Sequence, residues 1–257
     1  VNNFNARNTW VYSAKRVVTE FGALGITLPK PVTDAVAVMA RIEADKPSTP
    51  SPSAIREAII RGADQTEIER LLLLDLGATR LSSEWTQART DSAGAVLAAV
   101  RAAEPTLLPA LRKLADEAIG KLRRIADLGG VKLADLIRAG RESEAKLLAD
   151  VDLIAAGLSN LYQLRDEFLI GGGGRALIVN GVSCATWRDP GAANAHARGK
   201  TVAEQYIAGL AAGVPLWFPS PAEAIEAATA IAAKRAADAE RKREREFGQG
   251  SVVFMGN

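Results

Sequence analysis

Apolar positions recur at intervals of three and four along most of the chain, and this spacing predicts helices. Over residues 10–24, Trp10, Val11, Ala14, Val17, Val18, Phe21 and Leu24 share one side, while Lys15, Arg16 and Glu20 take the other. The LPKP run at 28–31 imposes an extended link, after which Val36, Met39 and Ile42 mark a second short helix over about 33–44. Residues 45–53 (DKPSTPSPS) hold three prolines and four Ser/Thr without an apolar anchor, and read as a linker.

Ser51 and Pro52 form a cap and first-turn pair for a helix with Ile55, Ile59 and Ile60 on one side. Asp64 and Glu67 have the spacing of a capping box. The segment behind them, residues 68–85, is apolar around much of its circumference, which predicts a helix sandwiched between others. Pro105 ends the next stretch. Leu107, Leu108, Leu111, Leu114, Ala118, Ile119, Leu122 and Ile125 then repeat at helical spacing until Gly129 and Gly130. The same pattern resumes over residues 132–170, with Gly140 and Gly157 as its weak points. Long helices with short Pro or Gly punctuation favour an antiparallel bundle or an elongated helical stack.

The texture changes at the four glycines 171–174. Two short β-prone runs flank Asn180–Gly181, a dipeptide suited to two-residue turns, and predict a β-hairpin at about 176–187. Residues 189–200 read as a polar loop. Thr201 and Glu204 cap a helix through about residue 212, ended by Gly213; after VPLWFPSP, Ser220 and Glu223 cap a last helix to about residue 247. No fixed-period repeat is visible. The expected fold is therefore mainly α, with a small hairpin and extended termini. The expected division is an arm with two short helices and the Pro/Ser linker (1–50), a main helical body (51–170), and a Gly-linked hairpin, two helices and an apolar tail (171–257).

Composition narrows the chemistry. With 48% hydrophobic residues in 257, the chain has the material for a core, which argues against a disordered or collagen-like protein. The net charge of +2, from 32 Lys/Arg and 30 Asp/Glu, removes the simplest argument for a nucleic-acid or membrane-surface partner. A single histidine (His196) and a single cysteine (Cys184) allow neither a zinc site of the usual Cys/His kind within one chain nor an intrachain disulfide. The GGGGR run (171–175) lacks the Lys-Ser/Thr ending of a phosphate-binding loop and precedes a strand instead of a helix. His196 reads as a solvated loop residue and Cys184 as a small packed one. The paired carboxylates Asp64/Glu67 and Asp150/Asp152 read as helix caps and solvated charges. No catalytic residue, metal or cofactor is expected. Residues 205–222 carry no charge but contain Gly209, Gly213, Pro215, Pro219 and Pro221, so no membrane-spanning helix is expected. The polar first ten residues lack a secretory core, and the expected location is the cytoplasm.

The candidate contact residues lie at the ends and in one internal peptide. Phe4 stands alone in a polar arm, and Val252, Val253, Phe254 and Met255 form a short β-prone apolar tail. Such peptides either dock on neighbours through an anchor or strand addition or fold back on their own helices. Trp217 and Phe218, between prolines, form either a docking knob or a core plug. Lys234, Arg235, Arg241, Lys242, Arg243 and Arg245 make the last helix basic, interleaved with Asp238, Glu240, Glu244 and Glu246.

These features point to a non-enzymatic structural or assembly protein that acts through protein–protein contacts as a homo-oligomer or part of a larger assembly. The Ala/Arg-rich helical body, Val1 where a GTG start codon would place it, and the short apolar ends resemble helical proteins of actinobacterial phages and prophages. That resemblance implies a virion or head-assembly component, such as a minor capsid or scaffold-like protein, and a location in the virion. The alternative is a helical packaging or regulatory factor that contacts nucleic acid through the six basic residues of the last helix.

Overall fold

The computed structural model describes residues 3–47, 51, 53–170 and 176–250, with side chains described over 9–47, 51, 53–78, 80–170, 176–246. The described chain is predominantly α, with eleven α-helices, one π-helical turn and one two-stranded hairpin. It divides into two compact units, residues 1–107 and 108–257, with the boundary in the first turn of a helix.

The first unit is organised by α4 (Gln65–Ala102), on which α1 (Asn3–Ala23), α2 (Lys30–Ala44) and α3 (Ala54–Ile60) all pack. Most of the apolar side read for α1 is buried: Val11, Ala14, Val17 and Phe21 are enclosed, whereas Trp10 and Val18 are exposed. Polar bonds fix α2 against the second half of α4. The Trp85 indole N–H donates to the Ile42 carbonyl at 2.6 Å, and Arg89 Nε donates to Glu43 at 3.0 Å. Lys15 of α1 also reaches Glu43, at 2.8 Å, so one carboxylate ties three helices together. These bonds hold its carboxyl below the ordinary value, against the opposing effect of burial.

Three expectations for this unit change. α1 starts at Asn3, so the arm around Phe4 is helical, not extended. No Pro or Gly interrupts the arm, and each residue added to a turn anchored by the core gains a backbone bond without a new nucleation cost. The linker at 45–53 does not delimit a compact unit, because α2 before it and α3 behind it pack on the same helix. Only half of the expected capping box forms. Asp64 accepts from the Glu67 N–H at 2.8 Å, but the Glu67 carboxylate turns to Arg61 instead of the cap backbone.

The second unit opens on α5 (Glu104–Asp127), whose buried stripe includes Leu108, Leu111, Ala115, Ile119 and Leu122. Pro105 sits in its first turn, where a missing N–H costs nothing. The stretch from 132 to 170, read as one long pattern, is three helices: α6 (Leu133–Arg138), α7 (Glu142–Ala149) and α8 (Val151–Leu164). Gly140 adopts φ +69 and ends α6, whereas Gly157 stays inside α8. Beyond α8 the chain makes a π-helical turn over Arg165–Ile170.

The hairpin forms as the sequence predicts. β1 (Ile178–Val179) pairs antiparallel with β2 (Val182–Ser183), Ile178 opposite Ser183 and Val179 opposite Val182. Asn180 and Gly181 both take positive φ, 49° and 75°, as a type I′ turn requires. Two such short strands are not stable alone, and the hairpin packs on α11 (Pro221–Gly250), burying Val182 and Cys184 with Ala228. The region read as a loop at 189–200 contains α9 (Pro190–His196). Asp189 accepts from the Ala192 N–H at 3.0 Å and Pro190 fills the first turn, a cap-and-proline start followed by alanines. α10 (Val202–Ala211) has the complete Thr201/Glu204 capping box.

Candidate functional site

The peptide VPLWFPSP, read as a knob or a plug, is a plug. Phe218 is 3% exposed, and its ring stacks on Tyr162 with centroids 5.4 Å apart. The guanidinium of Arg165, fully buried in the π-helical turn, lies 4.8 Å from the Phe218 centroid and 5.2 Å from that of Tyr162. Asp166 balances its charge at 2.8 Å. A short antiparallel bridge to residues 186–188 serves the first half of the peptide, with Arg188 N–H donating to Pro215 O at 3.0 Å and Trp217 N–H to Thr186 O at 3.2 Å, and side chains serve the next three carbonyls in succession. Tyr162 Oη donates to Trp217 O at 2.9 Å, Arg112 Nε to Phe218 O at 2.9 Å and Arg165 Nη1 to Pro219 O at 3.4 Å. Trp217 is half-buried, and its indole N–H donates to Cys184 O at 2.7 Å. Burial pushes the Tyr162 hydroxyl far up, which keeps it protonated as a donor. Phe218 is thus held in the core of the second unit with half-buried Trp217 beside it, which is the plug of the two alternatives.

The remaining sequence candidates separate clearly. Lys234, Arg235, Arg241, Lys242, Arg243 and Arg245 are all exposed on α11. Arg241 pairs with Asp238 at 2.8 Å and Lys242 with Glu246 at 3.9 Å. Val252, Val253, Phe254, Met255, the GGGGR run and the side chain of Phe4 lie outside the described residues. His196 is exposed at the end of α9. Cys184 is fully buried, and burial, helped by Asp189 and opposed by Arg235, pushes its thiol up, away from the nucleophilic form. An open cleft of about 610 Å³ lies between α5 and the start of α11, lined by Arg112, Lys113, Asp116, Glu117, Ser220 and Glu223. Arg112 pairs with Glu223, and Glu223 also exchanges backbone-to-side-chain bonds with Ser220 as a capping box. These bonds hold the Glu223 carboxyl below its ordinary value. Among the described residues, no three His, Cys, Asp or Glu side chains lie close enough to hold a metal ion, and no single helix is long and apolar enough to cross a membrane.

The surface that sequence reasoning misplaced is the first half of α4. The leucine-rich run was expected to be sandwiched, yet Leu72, Leu73, Leu74, Leu76 and Leu81 are exposed, Leu73 at 70% and Leu76 at 68%. The second half of the same helix behaves oppositely, with Ala93, Val96 and Val100 fully enclosed. At about 100° per residue, Glu69, Leu73, Leu76 and Arg80 fall on one face of α4. Leu71 and buried Ala78 fall on the other side, the side that is covered. Glu69 accepts a bond from Gln65 of its own helix at 2.8 Å, and Arg80 has no ion pair among the described residues. Four successive leucines put apolar groups on every side of a helix. Periodicity therefore could not tell which face would stay open; only the count of available covering helices decides it.

Comparison with known proteins yields no relative: no family model matches the chain, and no curated protein or solved structure matches it at a significant level.

Proposed function

We propose that the protein is a non-enzymatic structural or assembly component that acts through protein–protein contacts, with the leucine face of α4 as its association surface. The observation that carries this reading is the exposure of Leu72, Leu73, Leu74, Leu76 and Leu81 on one 38-residue helix. Scattered exposed leucines are ordinary, but Leu72, Leu73 and Leu76 adjoin within little more than one turn and make the centre of a patch of the kind that partners cover, with Leu74 and Leu81 exposed on its flank. The resemblance to helical phage proteins agrees with an assembly role in a virion or head and assigns no residue a part in it. The nucleic-acid alternative is less supported, because Arg241 and Lys242 face acids on their own helix and the charge of α11 is interleaved.

The test is the absolute mass in solution, by light scattering on a sizing column, of nuclease-treated protein over a range of concentrations. Absorbance is followed at 260 and 280 nm. The expected result is a nucleic-acid-free species larger than one chain, reduced in mass by the double substitution Leu73→Gln/Leu76→Gln. A monomer at every concentration, or an unchanged mass in the double variant, overturns the reading.

A further inference from the structure

We propose that the occupant of this face is a second copy of the same chain: α4 pairs antiparallel with α4 of the second copy about a two-fold axis passing between residues 74 and 75. The proposal rests on the reading of the leucine face as an association surface and adds the partner and the register. The argument is the order of side chains along the exposed stripe. Glu69, Leu73, Leu76 and Arg80 follow one another at spacings of four, three and four, the a/d spacing by which helices pack knobs into holes. The stripe is self-complementary when reversed. The proposed axis sets Leu73 against Leu76 of the second copy, and Glu69 against Arg80 of the second copy, so that two leucine layers are closed at both ends by opposite charges. A parallel arrangement sets Glu69 against Glu69 and Arg80 against Arg80, which repel. An isologous contact of this kind uses the same patch twice and closes as a dimer. The stripe spans roughly 16 Å of helix, short against a standard interface, so the dimer is concentration-dependent.

Sedimentation equilibrium of the full chain at low salt tests the pairing, with circular dichroism as the check on folding. The variants are Glu69→Arg, Arg80→Glu, their double swap, an equimolar mixture of the two single variants, and Leu73→Gln/Leu76→Gln. Each single swap acts twice in the dimer and turns two attractions into two repulsions. The dissociation constant is therefore expected to rise roughly tenfold in each single variant. The double swap and the equimolar mixture are expected to return to about the wild-type value, and the leucine variant to be monomeric. Wild-type association that the leucine variant abolishes but the charge swaps leave unchanged, or a complex larger than two chains, overturns the antiparallel pairing while the association surface stands. If the leucine variant associates like the wild type, both fail.

Discussion

Two apolar peptides of this chain lie in opposite environments, and only one of them lies where its sequence suggests. VPLWFPSP is short, proline-flanked and aromatic, a profile that suits a docking knob or a core plug, and it is packed as a plug. The leucine run of α4 has the profile of a core helix, and its most apolar face is open to solvent. The difference lies in what each segment must satisfy. An extended peptide buried between helices leaves its carbonyls unbonded unless donors are brought to it, and the second unit brings Tyr162, Arg112 and Arg165 to three consecutive carbonyls. A helix satisfies its own backbone, so nothing but its side chains asks for cover, and the first unit has only enough helices to cover one side of α4 in this region. Burial is decided by which groups need partners and which neighbours exist, not by apolarity alone.

The contrast can be broken most decisively by truncating one member of each segment. Phe218→Ala removes a ring packed against Tyr162 and Arg165 and is expected to cost ~3–5 kcal/mol in chemical denaturation. A loss below ~1 kcal/mol would mean that the plug is a surface feature after all. Smaller, and specific to the polar side of the plug, is Tyr162→Phe. It leaves the ring stack in place but strips the donor from the Trp217 carbonyl, for an expected loss of ~1–3 kcal/mol. Lowering pH sharpens the comparison further. The folded-state pKa of Glu223 is depressed, so its contribution is present above the ordinary carboxylate pKa and lost as pH falls through the folded value. Between about pH 5 and pH 3 the stability of Glu223→Gln should therefore fall less steeply than that of the wild type. Equal slopes would show that the bonds from Ser220 and Arg112 do not hold that carboxylate in solution. The smallest effect belongs to the leucines. In protein dilute enough to be monomeric, Leu73→Gln/Leu76→Gln should change the unfolding free energy by no more than ~0.5 kcal/mol per site, since both side chains are mostly exposed. A loss of several kcal/mol would place those leucines in a core.

Several local signals match the structure, although the Asp64/Glu67 box forms only by half and α3 is entered at Ser53 instead of Ser51. The Asn180–Gly181 turn, the Thr201/Glu204 and Ser220/Glu223 capping boxes, the stop at Gly129–Gly130 and the buried side of α1 each depend on a few neighbouring residues. Missed features needed a longer view. α9 is hidden because residues 189–200 are polar overall, although Asp189–Pro190 is a pair that starts helices. Gly140 breaks a helix and Gly157 does not, because the first adopts a left-handed conformation at a helix end and the second lies within α8, whose neighbouring residues Ala155 and Leu158 are buried. Nothing in the spacing around Arg165 marks it as a residue with no exposure at all. Its partners Phe218 and Pro219 lie more than fifty positions away.

The sequence by itself determined that the chain is helical, where several helices are capped or stopped, and where the hairpin turns, because caps, turns and amphipathic periods act within a few residues. Only the tertiary structure decided which apolar surface is core and which is left to a partner. That choice depends on the number of helices able to reach each face and on the donors able to reach each buried carbonyl, and both are set by segments far apart in the chain.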